Sequence, residues 1–295
     1  MREFGGRVAV VTGGGSGFGA AFAMHAQALG MRLVLADVQA DALERQVQRL
    51  RDAGAKVVGV RCDVSSDTDV ARLAQVAYER FGTVNLLFNN AGVAGSGGYL
   101  WENSDADWRW TLGVNLLGVA NGIRHFVPRM IAGGLDSDSG HVVNSASIAG
   151  WLSAPLLGVY NASKAAVVSA SETLYHDLKL AGSHIGVSVL CPAFVPTAIF
   201  DSERNRPADL ANAAPPTASQ RLARAAGEKA VAGGRLGAEE IAVQTFEAIR
   251  AGRFYVFTHP QIMPSVRARL EAALAGAEPA DPYAGRPGTR PAPAA

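Results

Sequence analysis

Cysteine is scarce in this chain, with two in 295 residues, and that scarcity excludes a disulfide framework. Cys62 and Cys191 each close an apolar run, so both are expected as buried free thiols in a reducing, cytoplasmic setting. Lysine is nearly as rare, at four residues, and 27 basic against 26 acidic side chains leave a net charge of +1. With its basic residues scattered, such a chain presents no field for nucleic acid or an anionic membrane. The six histidines never fall at ligand spacing from a second His or Cys, so no metal site is expected. Long apolar runs are missing as well. Residues 84–101 and 139–163 carry no Asp, Glu, Lys or Arg, but Asn, Ser, Gly or Pro interrupts each, and neither reads as a membrane span. The opening "MREFGGRVAVVTGG" has no apolar signal region before its first strand pattern.

What the chain does have is 48% hydrophobic residues against 18% charged, the make-up of a soluble protein with a substantial core. Short apolar runs alternate with amphipathic stretches. "RVAVVTG", "RLVLAD", "KVVGVRCDV", "VNLLFNNAG", "HVVNSAS", "IGVSVLCP" and "RFYVFT" read as strands. Between them, helices are expected over 17–30, 40–53, 66–81, 104–132, 157–181 and 237–252. Continuous apolar strands separated by helices imply an α/β fold, a single Rossmann-like, doubly wound parallel sheet of about seven strands covered on both faces. Residues 1–275 read as one domain. Within it, 201–236 break the rhythm with Pro, Ala and polar residues, as a lid over the ligand edge would. The Pro- and Ala-rich tail, 276–295, is expected to be flexible.

The first strand runs into "TGGGSGFG" and then a helix. Gly13, Gly17 and Gly19 permit a tight turn and close approach of a pyrophosphate to the helix N-terminus. Eighteen positions beyond Gly19, Asp37 ends the second strand, where a carboxylate receives the adenosine ribose hydroxyls and repels a 2′-phosphate. No Lys or Arg stands at 14–16, 36 or 38 to offset it, so NAD is expected rather than NADP. The plainer alternative is that Asp37 merely caps the next turn.

Two Tyr-x-x-x-Lys pairs compete for the chemistry: Tyr160 with Lys164, and Tyr175 with Lys179. Each pair shares one helix face. A helix beginning near 157 starts at the carboxyl edge of the sheet, where ligands bind, and Tyr175 then lies roughly 22 Å further along it. The first pair is therefore the reactive one, and the second a surface or packing pair.

"TGGGSGFG", "NNAG" and a serine thirteen residues before "YNASK" together resemble the short-chain dehydrogenase/reductase family, in motif order over about residues 5–260. Thr12, Gly13, Gly17 and Gly19 match its TGxxxGxG pattern, and Asn89, Asn90, Ala91 and Gly92 its NNAG. The resemblance implies that Asn115, Ser147, Tyr160 and Lys164 are catalytic, with Ser145 a second nominee for the serine. It also implies cofactor contacts from Ser16, Phe18, Asp63, Val64, Pro192, Val195 and Thr197, and assembly as a homodimer or homotetramer. Ala193 departs from the family, which usually has glycine after Pro192, so the backbone facing the nicotinamide is expected to be slightly displaced. For Asn115 taken alone, a helix kink or cap is the ordinary reading.

A free phenol titrates near 10, and bringing it to about 7 takes roughly 4 kcal/mol, which Lys164 and a positive nicotinamide ring are expected to supply. The expected substrate walls are apolar: Trp151, Leu152, Phe194, Ile199 and Phe200, with Leu156 and Leu157 as further candidates. A hydrophobic secondary alcohol or ketone, bulky or aromatic, fits them. Trp151 and Phe200 serve equally well as oligomer or lid packing. Two other readings stay open: a non-catalytic NAD sensor or scaffold on the same fold, and a 3-oxoacyl thioester reductase.

Overall fold

The computed structural model describes residues 1–283. Seven strands, β1 (Val8–Thr12), β2 (Arg32–Asp37), β3 (Val57–Arg61), β4 (Leu86–Asn89), β5 (His141–Ser145), β6 (Gly186–Leu190) and β7 (Tyr255–Val256), join in one sheet. Their order is β3-β2-β1-β4-β5-β6-β7, and every neighbouring pair is parallel. The expected doubly wound sheet is what forms. The apolar runs are continuous because both faces are covered. Helices α1 (Gly17–Ala28) and α2 (Ala40–Asp52) set Phe22 and Leu43 against one face. Helix α3 (Asp67–Phe81) sets Leu73 against the other.

The winding direction reverses between β1 and β4, and such a switch point opens a crevice at the strands' carboxyl ends. Thr12 fastens the two strands there. Its hydroxyl donates to the Phe88 carbonyl (3.2 Å) and accepts from the Asn90 and Ala91 amides (2.9 and 3.1 Å). Beside it, Asn89 donates to the Asn144 side chain (2.9 Å), which in turn donates to Ser171 (3.0 Å). The NNAG segment thus ties β4 to β5 and, through Ser171, to the helix behind them.

Three stretches differ from expectation. The helical region 104–132 divides into α4 (Asp105–Leu112), a π-helical turn (Gly113–Leu117) and α5 (Gly118–Ala132). Such a turn leaves the hydrophobic pattern in place while disturbing the i→i−4 ladder, and it recurs at functional sites. After α6 (Gly158–Leu180), the segment 201–236 is far from irregular. It holds two 3₁₀ turns and α7 (Ala218–Ala232), started by a reciprocal capping box between Thr217 and Gln220. The last strand is two residues long, because only Val189–Tyr255 and Leu190–Val256 pair at this sheet edge.

Helix α8 (Ala238–Arg250) covers the α1 face with Phe246, and α9 (Met263–Leu274) follows β7. Of the tail expected to be flexible, Pro282 and Tyr283 line the crevice, and residues 284–295 lie outside the described residues. Among the described residues no helix is long and apolar enough to cross a membrane, and no group of three or more His, Cys, Asp or Glu could hold a metal. Both cysteines are buried free thiols, and burial pushes each up to about 12.

Candidate active site

The crevice is a cleft of about 1630 Å³ over the carboxyl ends of the strands. Its floor at one end is the glycine turn. Gly13 and Gly17 have positive φ (65° and 52°), and a Cβ on Gly19 would stand 2.0 Å from the Gly13 carbonyl oxygen, so no other residue fits there. Ser16 is the N-cap of α1, but its side chain makes no capping hydrogen bond and the first turn has no acidic residue. The amides at this helix end therefore remain available to an anion.

Asp37 borders the same end with both oxygens fixed. Oδ2 accepts from the Gly15 amide (2.9 Å) and Oδ1 from the Gln39 amide (3.0 Å). Each oxygen keeps a lone pair for a ribose hydroxyl. A Cβ on Gly15 would approach Oδ2 to 2.9 Å, so a larger residue there would push the Asp37 carboxylate from this position.

The reactive end is built on β5, α6 and the loop after β6. Tyr160 and Lys164 lie in the first two turns of α6 and both line the cleft; Tyr175 and Lys179, near its other end, do not. The Lys179 ammonium instead sits 4.3 Å over the Tyr175 ring, which packs edge-on against Phe254. Lys164 is 3% exposed, and among the described residues its ammonium makes one hydrogen bond, to the Ser145 carbonyl (2.8 Å). Two of its N–H groups are thus free for a ligand. Burial depresses Lys164 to about 8.

Burial raises the Tyr160 phenol to about 12, against which a hydrogen bond with Ser147 acts in the opposite direction. Nζ of Lys164 stays 5.7 Å from the ring centroid, so the cation alone does not bring the phenol toward neutrality. Ser147 accepts from the Ala149 amide (3.1 Å) and donates to the Pro192 carbonyl through a long contact of 3.4 Å, a bond weak enough to exchange for a substrate oxygen. Ser145 belongs to the frame: its hydroxyl donates to Asn90 (3.3 Å).

Of the cofactor residues expected from sequence, Gly13, Ser16, Gly17, Phe18, Asp37, Asp63, Val64, Asn90, Ala91, Gly92, Pro192, Val195 and Thr197 line the cleft. Thr12 and Gly19 stand behind its wall, one clamping β1 to β4 and the other packed under the glycine turn. Asn115 is also behind it. Fully buried in the π-helical turn, it donates to the Val93 carbonyl and the Ser163 hydroxyl (both 3.0 Å) and accepts from the Val93 amide (2.8 Å). Its side chain is satisfied by the protein and holds α6 to the NNAG loop.

Leu152, Phe194, Ile199 and Phe200 line the cleft, as do Leu156 and Leu157, and Trp151 does not. The Trp151 indole turns to the sheet edge, packing edge-on against Tyr255 and Phe257 with Nε1 directed at the Cys191 sulfur (3.4 Å). Phe200 also packs within the 201–236 segment, its ring filling the space above Gly227.

Four features of the site were not legible beforehand. Leu156 is the one non-glycine residue among those described with positive φ (66°), a strain of roughly 1–2 kcal/mol held against the cleft four residues before Tyr160. Arg204 reaches from the 3₁₀ turn to Gln39 (3.4 Å), bringing a cation to the mouth beside Asp37. His259 lines the far wall after β7, and Tyr283 returns from the tail. A polar residue just past the carboxyl end of a strand is the signal that points to His259.

A family model described as short chain dehydrogenase matches residues 7–208. The chain belongs to the short-chain dehydrogenase/reductase family. The chain is 56% identical to a short-chain dehydrogenase/reductase of Burkholderia phymatum solved in complex with NAD, with a TM-score of 0.93 over 95% of this chain and 99% of that one. It is 34% identical to the CLA biosynthesis dehydrogenase/reductase of Lactiplantibacillus plantarum over 95% of this chain and 97% of the relative. It is 38% identical to the C alpha-dehydrogenase of a Sphingobium species over 70% and 67%. A nicotinamide cofactor fits the site on its own terms: an open helix N-terminus, a fixed carboxylate and a buried ammonium with free donors converge on one cleft. The protein is an oxidoreductase of this family.

Proposed function

We propose that this protein uses NAD to interconvert a bulky, hydrophobic secondary alcohol and its ketone. The observation that carries the reading is the convergence of Ser147, Tyr160 and Lys164 on an apolar cleft of about 1630 Å³. Pockets for single small molecules run to roughly 300–1,000 Å³, so this one has room for a dinucleotide and a large substrate together. The α1 N-terminus would hold the diphosphate, Asp37 the adenosine ribose, Lys164 the other ribose, and Val195 and Thr197 the carboxamide. A bound nicotinamide ring supplies the hydride acceptor in oxidation and the donor in reduction. Tyr160 moves the proton at the substrate oxygen, leaving as a phenol after oxidation and giving that proton back in reduction. Ser147 polarises and orients the same oxygen. Lys164 keeps a positive charge beside the phenol. Homodimeric or homotetrameric assembly belongs to the same reading.

The test is NADH absorbance with purified protein and secondary alcohols from small aliphatic to bulky diaryl, each with NAD and with NADP. Turnover is expected with NAD on the bulky members. Activity confined to small aliphatic alcohols would sink the substrate reading, and no turnover with retained NADH binding would favour a sensor.

Asp37 carries the cofactor preference. Asp37→Ser should shift the kcat/KM ratio toward NADP by roughly 10²-fold, because it removes a fixed negative charge from the place of the 2′-phosphate and leaves Arg204 nearby. An unchanged ratio in steady-state kinetics with both cofactors would show that Asp37 is not the discriminating group.

A further inference from the structure

His259 stands three residues past the end of β7, is 6% exposed and lines the cleft wall. Its Nδ1 lies 3.2 Å from the Ala193 amide nitrogen and 2.8 Å from the Thr258 hydroxyl. A backbone N–H can only donate, so Nδ1 must be the unprotonated acceptor, and the ring is neutral with its hydrogen on Nε2. Nε2 is buried and, among the described residues, has no hydrogen-bond partner.

The Ala193 N–H belongs to the same rigid peptide plane as the Pro192 carbonyl. That carbonyl accepts from the Ile148 amide (2.9 Å) and from the Ser147 hydroxyl (3.4 Å). One peptide plane is therefore gripped at both ends, by Ser147 and Ile148 on its oxygen and by His259 on its nitrogen. We infer that His259 is a positioning residue for Ser147, acting through the Pro192–Ala193 peptide. This rests on the dehydrogenase reading above.

Releasing the nitrogen end lets the plane rotate, and the acceptor that sets the resting direction of the Ser147 hydroxyl moves with it. The effect falls on the chemical step more than on cofactor binding. Protonating the ring at Nδ1 does the same, since it sets one N–H against another. Burial alone lowers the His259 pKa, with no charged group contributing, so this loss belongs below pH 6.5.

The experiment compares His259→Leu, which has no acceptor, with His259→Asn, whose side-chain oxygen can take the place of Nδ1 and does not titrate. His259→Leu should lower kcat by roughly 10–100-fold, the scale of a small misplacement at a reacting group. Its NADH Kd should stay within about twofold, as expected for a residue acting on chemistry rather than on the dinucleotide. His259→Asn should recover most of that loss and flatten the acidic limb of the kcat profile. Nitrogen-15 NMR of the histidines in the wild-type chain reads the tautomer without any substrate, and hydrogen on Nε2 is expected. Hydrogen on Nδ1, a fully active His259→Leu, or an acidic limb that persists in His259→Asn would each overturn the inference. A wild-type protein inactive on every alcohol but with the expected tautomer would tell against the dehydrogenase reading and leave the His259–Ala193 bond standing.

Discussion

Lys164→Met is expected to lower kcat/KM by roughly 10²–10⁴-fold while raising the melting temperature at pH 7. Both effects come from one buried ammonium. Burial holds Lys164 at about 8, against an ordinary value of 10.5, so at pH 7 the folded state carries a charge the unfolded chain bears more easily. Two and a half units correspond to about 3 kcal/mol, and loss of the hydrogen bond to Ser145 offsets about 1 kcal/mol of that. A net gain of about 1–2 kcal/mol raises the melting temperature by several degrees in a chain of this size. The pH dependence has a definite sign. Above pH 8 the folded wild type sheds the Lys164 proton while the unfolded chain keeps it to 10.5, so wild-type stability rises in that window. Lys164→Met lacks this rise, and the gap between the two proteins should close between pH 7 and 9.5. Thermal melts of both proteins across that range measure it. A variant that melts lower at pH 7, or a gap constant with pH, would show that the ammonium is not a burden on the fold. The activity loss has the opposite origin. A phenol at about 12 stands about five units above neutrality, roughly 7 kcal/mol, and removing the adjacent cation makes that gap harder to bridge.

The fold was legible because the strands are buried on both faces and read as unbroken apolar runs between amphipathic helices. The π-helical turn at Gly113–Leu117 was not, since "GVNLLG" keeps the apolar spacing of a helix and nothing local marks the extra residue in the turn. Helix α7 was hidden by composition: Pro and Ala around it suggested a loop, although "TASQ" carries the capping-box pattern of Thr217 and Gln220. At the site, spacing along one helix separated Tyr160 from Tyr175, because 1.5 Å per residue carries the second pair out of reach. Trp151 exposes the limit of adjacency. It follows Ser147 by four residues, but a 3₁₀ turn at Ile148–Gly150 sends its indole to the sheet edge. Thr12 and Asn115 shape the cleft from behind through hydrogen bonds to segments distant in sequence. Arg204 comes to the cleft by tertiary packing, which no local pattern encodes, whereas His259 carries one weak signal, its place just past the carboxyl end of a strand.

A buried ion pair fastens the 201–212 segment to α4. Arg206 Nη1 meets Asp107 Oδ1 at 2.8 Å with side chains only 3% and 1% exposed. Asp107 also accepts from the Ser104 amide (2.8 Å) and from Asn212 (2.9 Å), so one carboxylate both caps α4 and holds the segment above it. Burial raises its pKa, but hydrogen bonds from Ser96, Ser104, Asn212 and Arg206 outweigh that and leave it below the ordinary carboxylate range. The pair's contribution is therefore present above about pH 4, the ordinary carboxylate value, and is lost as pH falls through the depressed pKa. Arg206 donates further to the Leu210 carbonyl (2.6 Å), and its guanidinium lies 5.1 Å over the Trp110 ring, which lines the cleft. Removing Arg206 strands the buried Asp107 carboxylate, while removing Asp107 leaves the buried guanidinium with the half-exposed Glu203 (3.1 Å) as its counter-charge; each loss is on the order of 3 kcal/mol. Asp107→Ala and Arg206→Met should each lower the melting temperature by on the order of 10 °C. The double variant should fall well short of the sum, with a coupling of about 1–3 kcal/mol, because no unpaired charge remains in it. Both single variants should also become more susceptible to limited proteolysis within 201–216, where the chain loses its anchor. Additive losses in the double-mutant cycle would mean that Asp107 acts through its helix cap alone. Unchanged cleavage would mean that α7, clamped by Ser219 and Thr217 to Glu102, holds the segment without the ion pair.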